Sequence, residues 1–220
     1  NVREGQVFTV SDVTLTGDSV LPEEVLKSLI LIEGGQRFSR KDIEASVENI
    51  TAVLSNIGYA FATVNPTPRV NRADQEVSLN FFVDPGKRVY VRRIEFQGND
   101  QSKDEVLRRE MRQFEGSWFS QALIDRSKIR IERLGYFDNV NIETEPVDGT
   151  DDQIDVIVSV EETPSGNFQV GFGYSQIQGL IASISVEQNN FLGSGRQVGF
   201  AVSRSSIISQ VGISYTNPYY

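Results

Sequence analysis

Residues 167–175 read Asn-Phe-Gln-Val-Gly-Phe-Gly-Tyr-Ser, with a large apolar side chain at every second position and a small or polar one between. Such alternation is typical of a β-strand, because successive side chains point to opposite faces of a sheet. The pattern recurs at residues 180–187, 197–203 and 211–216. The sequence therefore predicts four short antiparallel strands that share one apolar face.

The polar face of these strands is almost uncharged. Residues 163–220 contain only three charged side chains, which are Glu187, Arg196 and Arg204. A soluble sheet normally carries Lys and Glu on the face that meets water, whereas the inner face of an outer-membrane barrel can be small and polar. We therefore interpret the segment as transmembrane-type strands whose apolar face meets lipid, with a soluble β-meander as the alternative.

Four strands cannot close a barrel, since the smallest barrels need about eight. We expect this incomplete barrel to leave two open strand edges, which proteins normally avoid. The chain also begins at Asn1 without a signal-like segment, so we expect a mature or excised piece of a larger protein. By itself it should need detergent, or a second copy that forms a dimer through the open strands.

The part of the chain before Thr163 contains one module twice. The alignment that superimposes Gly17 on Gly98 also superimposes Glu24-Val25-Leu26 on Glu105-Val106-Leu107. Gly17 and Gly98 are 81 positions apart, whereas further along Gly58 and its match Gly135 are only 77 positions apart. The later copy therefore lacks four residues inside its second helix. Each copy predicts the order β-α-α-β-β, a three-stranded sheet covered on one face by two helices.

We therefore predict α+β modules in two tandem copies, followed by the strands of an incomplete barrel. The first module is residues 1–84, the second module is residues 85–162, and the barrel strands are residues 163–220. In the first module the pattern predicts a strand at 7–16, Ser39 as the N-cap of the second helix, and a hairpin at 59–70 and 77–83. In the second module Ser102 and Glu105 predict a capping box, and strands are predicted at 89–96, 139–145 and 153–160.

The first strands of the two predicted hairpins differ in proline. Pro66 and Pro68 lie in this strand of the first module and remove two backbone donors, which predicts a strand that is blunted toward its end, with an ordinary turn role for both prolines as the alternative. The matching strand of the second module has no proline before Pro146. We therefore predict this strand as the edge that recruits a passing strand. Its residues are Val140, Asn141, Ile142, Glu143 and Thr144.

Composition argues against an enzyme. The chain has no cysteine and no histidine, which excludes a thiol enzyme, a Ser-His-Asp site and a His-ligated metal. The glycine-rich segment 193–199 lacks a following Lys-Ser/Thr, and the aspartates at 148–155 miss the calcium-loop spacing, so both are interpreted as turns. The net charge of −9 argues against a nucleic-acid partner. We predict no catalytic residue, no cofactor and no metal.

Five stretches resemble the BamA family of barrel-assembly proteins, and the resemblance extends over the whole chain. They are residues 91–100 (VRRIEFQGND), 102–113 (SKDEVLRREMRQ), 133–137 (RLGYF), 190–195 (NFLGSG) and 216–220 (TNPYY). The modules are similar to polypeptide-transport-associated (POTRA) domains. By this match they correspond to the fourth and fifth of five such domains, and the tail corresponds to the first four barrel strands.

The resemblance implies an insertase of the Gram-negative outer membrane that works without nucleotide. Its modules lie in the periplasm and guide unfolded precursors, and the second module docks an essential lipoprotein. Arg108 and Glu115 match family positions that face this partner. A two-partner secretion transporter with one dedicated passenger, or a soluble periplasmic protein-binding module, is the alternative.

The resemblance further implies that the first barrel strand forms a weak lateral gate with the last strand and pairs with incoming strands. Gly171 and Gly173 fit this role, because glycine weakens strand packing. The gate residues are Asn167, Phe168, Gln169, Val170, Gly171, Phe172 and Gly173.

Overall fold

A computed structural model describes residues 7–219, so Tyr220, the last residue of the family-like stretch 216–220, lies outside it. Within this range the chain forms ten strands and four helices. In chain order they are β1 (Thr9–Gly17), α1 (Glu23–Ser28), α2 (Arg40–Asn56), β2 (Thr63–Asn71), β3 (Glu76–Asp84), β4 (Tyr90–Gln97), α3 (Asp104–Glu110), α4 (Gln121–Glu132), β5 (Phe137–Pro146), β6 (Gln153–Glu162), β7 (Gly166–Ser175), β8 (Gly179–Phe191), β9 (Arg196–Arg204) and β10 (Ser209–Thr216).

The strands form three sheets. Their orders are β1-β3-β2 in the first module, β4-β6-β5 in the second module, and β10-β9-β8-β7 in the tail. In the first module β1 runs parallel to β3, and β2 runs antiparallel to it. All three neighbouring pairs of the tail are antiparallel. The predicted β-α-α-β-β modules and the antiparallel tail are confirmed.

Among the described helices, none is long and apolar enough to cross a membrane. The second helix is 17 residues long in the first module and 12 in the second, so it is five residues shorter, one more than the four lost from the repeat.

Contacts divide the chain into two compact units that do not follow the module boundaries. The first unit contains the described residues up to Arg93, with Glu115–Leu123 and Pro146–Ile154. The second unit contains Ile94–Phe114, Ile124–Glu145 and the described residues from Asp155 onward.

The core of the first module follows from two periodicities. On β3 the alternate residues Val77, Leu79, Phe81 and Val83 are all buried, as period-two patterning requires. On α2 the buried apolar residues are Ile43, Ile50 and Leu54, which share one face of the helix. Ser39 is the N-cap of α2, and its side chain accepts a hydrogen bond from the Asp42 N–H at 3.3 Å.

Each module buries a serine at an equivalent position of its second helix, Ser46 in α2 and Ser127 in α4. Ser46 Oγ accepts the Leu31 N–H at 2.8 Å, and Ser127 Oγ accepts the Arg112 N–H at 2.8 Å. The two pairs occupy equivalent positions of the repeat. A buried hydroxyl is tolerated here because it pairs with a backbone N–H of the connection between the two helices.

The predicted capping box at Ser102 is wrong. Helix α3 starts one residue later than the box requires, with Lys103 as its N-cap and no side-chain capping bond. The Ser102 N–H instead donates to Glu162 Oε1 at 2.6 Å, and Ser102 Oγ accepts from Asn190 Nδ2 at 2.7 Å. These partners are distant in sequence, so a local motif could not predict them.

Glu162 holds the segment that leads into α3. Its carboxylate accepts the N–H of Gln101 at 2.8 Å as well as that of Ser102. Burial by itself would raise the pKa of the Glu162 carboxyl, but hydrogen bonds from the Ser102 side chain and from both N–H groups outweigh it and lower the pKa below its ordinary 4.5. It is therefore the ionised form of the Glu162 carboxylate that holds the segment leading into α3 in place.

The predicted blunting of β2 by its prolines is also wrong. The ladder with β3 runs unbroken to Asn71, with Pro66 opposite Phe81 and Pro68 opposite Leu79. Strand β2 is an outer strand, and residues two apart present their backbone nitrogens to the same side. Both prolines therefore face the open edge, where no donor is needed.

Gly17 should be irreplaceable, because it and its repeat equivalent Gly98 have φ values of 104° and 82°. A Cβ at either would overlap the carbonyl oxygen of Val83 or Val160, the last core valine of its module. We expect Gly17→Ala to lower the free energy of unfolding by about 3 kcal/mol, from left-handed strain plus the backbone clash. Chemical denaturation of the detergent-solubilised chain measures this.

Gly35→Ala is the matched control, since Gly35 also has a positive φ of 86° but its Cβ would meet nothing within 4 Å. It should cost only about 1 kcal/mol, from backbone strain alone. Equal losses for the two variants would show that the Val83 carbonyl is not the constraint.

The Glu162 bonds predict a pH dependence. Because the folded-state pKa is lowered, the stabilisation is complete above the ordinary pKa of 4.5 and is lost as pH falls through the folded value. Hydrogen-exchange protection of the Gln101 and Ser102 amides should therefore fall below about pH 4.5. In Glu162→Gln it should already be low at pH 6 and change little on acidification. The exposed neighbour gives the control: Glu161→Gln should keep the wild-type profile, and identical profiles would refute the assignment.

Candidate functional site

Arg108, the first residue expected to dock a partner, lies in the last turn of α3 in the second unit and is exposed. Its guanidinium carbon is 5.0 Å from the centre of the Phe96 ring, and Nη2 donates to the Ile94 carbonyl at 3.3 Å. Val106 and Leu107 bury the opposite side of the helix. The fold thus presents an oriented positive charge at the surface.

Glu115, the second such residue, lies in the first unit, in the loop after α3, and is exposed. The loop that follows is fixed to β4, because the Gly116 N–H donates to the Val91 carbonyl at 2.7 Å and the Val91 N–H donates to the Ser117 carbonyl at 3.0 Å. Glu115 therefore stands at the start of an ordered extended segment that carries a negative charge.

This extended segment covers the outer edge of β4, and the first module repeats the arrangement. There the Gly35 N–H donates to the Val10 carbonyl at 2.7 Å, and the Val10 N–H donates to the Gln36 carbonyl at 2.8 Å. Isolated bridges join Thr9 to Arg37 and Tyr90 to Trp118. The starts of β1 and β4 are thus occupied, which leaves β2 and β5 as the more open outer strands.

The predicted strand-addition residues all lie in β5, an outer strand of its sheet. Val140 is buried, Ile142 and Thr144 are half-buried, and Asn141 and Glu143 are exposed. Asn141 Nδ2 donates to Glu143 Oε1 at 2.8 Å. Strand β5 thus buries the Val140 side chain and exposes the polar side chains of Asn141 and Glu143. Strand β2, in contrast, has two prolines that face its open edge.

The predicted gate residues all lie in β7, the outermost strand of the tail sheet. The β7–β8 register is continuous from Gly166 opposite Gln188 to Ser175 opposite Gly179. Phe168, Phe172 and Tyr174 are 67%, 78% and 78% exposed. Within residues 7–219, β7 has a paired strand on one side only, so its other edge can accept a strand.

The basic and acidic residues around α3 form specific ion pairs. Arg109 Nη2 is 3.6 Å from Glu105 Oε1 within the helix, and Arg130 Nη2 of α4 is 2.6 Å from Glu110 Oε2. Glu110 has a side chain only 9% exposed, so this second pair is largely shielded from water. Arg109, Glu105, Arg130 and Glu110 are therefore paired with one another in the second unit.

Turns of the tail contact the second module at positions that sequence reasoning missed. The Lys103 N–H donates to the Gly193 carbonyl at 2.9 Å, and Tyr136 Oη donates to the Gly195 carbonyl at 3.3 Å. The Arg109 guanidinium carbon lies 4.6 Å from the centre of the Tyr219 ring. The family resemblance of residues 190–195 and 216–220 marked these stretches in the sequence. Their local sequence does not indicate which residues of the second module they contact.

Comparison with known proteins assigns the modules. The POTRA family, described as surface antigen variable number repeat, matches residues 8–86 and 89–163. The chain is 33% identical over 220 residues to the outer membrane protein assembly factor BamA of Neisseria meningitidis, covering all of this chain and 28% of that protein. It is 30% identical over 219 residues to BamA of Buchnera aphidicola, covering all of this chain and 36% of that protein.

A solved structure supports the same relationship over modules and tail together. It is the crystal structure of BamA from Haemophilus ducreyi lacking POTRA domains 1–3, which matches with a TM-score of 0.84 and 38% identity over 97% of this chain and 40% of that chain. This chain spans 28% and 36% of the length of the two relatives named above. The chain therefore belongs to the POTRA family and is an outer-membrane protein with its two POTRA modules in the periplasm.

Proposed function

We propose that this chain is part of a factor that assembles and inserts β-barrel proteins into the outer membrane. The observation that carries the proposal is β7, an outer strand with one open edge in a sheet whose apolar side chains are exposed. The similarity to assembly factors over the whole chain supports it and favours an assembly factor over a secretion transporter. No catalytic residue, cofactor or metal has a part in it.

In the proposed mechanism β7 is the lateral gate. Its backbone N–H and C=O groups bond a strand of any sequence, which suits a machine with many substrates. Gly171 and Gly173 lower the cost of exchanging one partner strand for another, because they contribute little side-chain packing. A Cβ at Gly173 would meet nothing within 4 Å, so this position makes no side-chain contact that strand exchange would break.

Before insertion, the periplasmic modules guide the unfolded precursor. Strand β5 is the better of the two open module edges, because β2 presents Pro66 and Pro68 to an incoming chain. Residues Val140–Thr144 would then pair transiently with extended precursor segments. Without the remaining barrel strands, this chain would form a dimer with a second copy through its open strand edges, or it would need detergent.

The second module also docks a lipoprotein of the assembly complex through Arg108 and Glu115. Arg108 is held over Phe96 and bonded to the Ile94 carbonyl, so little side-chain entropy is lost when an acidic partner binds. Glu115 offers a negative charge from an ordered loop, which can pair with a basic group of the partner.

Cysteine crosslinking tests the gate, and the chain itself has no cysteine to interfere. We expect Gln169→Cys in β7 to form a disulfide with a cysteine in the terminal strand of a stalled precursor, because the β7 edge pairs with that strand. Non-reducing electrophoresis after mild oxidation measures the yield.

Ala201→Cys is the matched control for this experiment. Gln169 and Ala201 both register with Ser185, so they lie in one row of the sheet, but Ala201 belongs to the interior strand β9. The control should not crosslink. Precursor assembly without any crosslink along 167–175 would show that strand exchange at β7 is wrong.

Charge reversal tests the docking position. We expect Arg108→Glu to weaken binding of the lipoprotein at least tenfold, since a charge-assisted contact becomes a repulsion. Arg108→Lys should lose less, because it keeps the charge but not the planar guanidinium. Surface plasmon resonance with the purified partner measures both. Arg126→Glu, an exposed arginine on α4, is the control and should bind like wild type; equal losses would mean a general charge effect.

A further inference from the structure

A cleft at the module-facing end of the tail sheet contains more positive than negative charge. Its lining includes Arg109 and Arg130 from the second module and Arg196 from β9, together with Glu105 and Glu110. Three guanidinium groups against two carboxylates give the cleft a net charge of +1. All of these residues belong to the second unit. Such a site favours an anion.

One of these arginines has a buried donor without an acceptor. Arg130 Nη2 is paired with Glu110, but Arg130 Nε is buried and has no hydrogen-bond partner among the residues that the structure describes. Buried N–H groups in folded proteins are almost always paired with a protein group, a water or a ligand, so this donor is available to an acceptor that enters the cleft. An oxygen of an anion would satisfy it.

The position of Arg196 identifies the source of that anion. On β9 the apolar face carries Phe200 and Val198, and Arg196 lies on the same face two residues before Val198. The neighbouring strand continues in the same way, because Tyr215 registers with Val198, and Asn217 follows Tyr215 by two residues. Arg196 therefore lies about 7 Å beyond the apolar band, where hydrocarbon gives way to lipid headgroups.

Tyr219 completes this boundary. Its ring packs on the Arg109 guanidinium, and it lines the cleft beside Asn217. Tyrosine is enriched at membrane–water interfaces, and arginine at this depth commonly bonds lipid phosphate. The exposed side chains of Ile213 and Tyr215, which are 79% and 60% accessible, lead from the cleft along the apolar face. Acyl chains can lie along them while the headgroup remains in the cleft.

We propose that this cleft binds the phosphodiester headgroup of a phospholipid in the periplasmic leaflet. Arg196 approaches the phosphate from the sheet, and Arg109 and the Arg130 Nε–H approach it from the second module. A bound lipid thereby bridges the membrane strands and the POTRA module. The inference uses only the outer-membrane location and holds whether or not the insertase proposal is correct.

Native mass spectrometry of the full chain in non-ionic detergent tests the site with dioleoylphosphatidylglycerol as the probe. We expect one saturable lipid per chain, and Arg196→Gln should weaken its binding about tenfold through loss of one charge-assisted contact. Arg109→Gln, on the other side of the cleft, should weaken binding by a comparable factor. Because Arg109 lies in α3, a loss in this variant cannot result from a distortion of β9. Arg130 is left unchanged because Glu110 depends on it.

Arg204→Gln is the matched control, because Arg204 ends the same strand on the same face but at the opposite end. It should change the affinity less than twofold. Dioleoylglycerol, which lacks the phosphate, should not bind, and millimolar inorganic phosphate should not displace the lipid. The proposal is overturned if both cleft variants match Arg204→Gln, if dioleoylglycerol binds equally, or if free phosphate displaces the lipid and thus identifies a plain anion site. Failure of the phospholipid to bind would leave an acidic partner segment as the occupant and would equally refute it.

Discussion

Inside a bilayer every backbone N–H and C=O needs a protein partner, because hydrocarbon supplies none. Strands β8 and β9 meet this requirement on both sides, whereas β7 and β10 are each paired on one side within residues 7–219. The apolar side chains of the same sheet are exposed, so lipid must cover its face. A sheet of this kind is incomplete until other strands join it. The proposed function depends on that requirement, because the open edge of β7 needs a partner strand and can therefore bind a strand of a precursor.

In the POTRA modules, unpaired outer strands are partly covered by a segment of the same module. In both copies the segment before the second helix bonds to the start of the first strand, at Val10 and at Val91. In both copies a buried serine of the second helix accepts a backbone N–H from the connection before it. The second strand of each module is the more open of its two outer strands, and in β2 that edge carries two prolines. The two copies therefore share these edge covers and buried serines, and they differ in the prolines on the open edge of β2.

The sequence predicted the features that depend on period and on residue type. Alternation located β3 and the four tail strands, and Ser39 was correctly identified as an N-cap because its partner Asp42 is three residues away. The family resemblance of the five matching stretches correctly indicated the POTRA modules. Candidate residues Arg108, Val140–Thr144 and Asn167–Gly173 all lie on exposed or outer elements, but their roles remain predictions.

What the sequence could not predict depends on partners that are far apart along the chain. Ser102 looked like a capping residue, yet it bonds Glu162 and Asn190, which are 60 and 88 positions away. Pro66 and Pro68 looked like strand breakers, because the sequence does not show which side of β2 faces its neighbour. Arg130 and Arg196 have no shared motif, and only folding places them in one cleft.

The short helix α3 connects these separate observations. Its start is bonded to Glu162 and, through Lys103, to the Gly193 turn between β8 and β9. Its last turn carries Arg108, which packs on Phe96, and Arg109, which packs on Tyr219 after β10. The position expected to dock a lipoprotein and the turns of the membrane strands are therefore separated by one helix of seven residues. Because a helix this short has little stability of its own, it is held in place by the burial of Val106 and Leu107 and by the groups at its two ends. Whatever binds at Arg108 therefore acts on an element that also carries the contacts to the membrane strands.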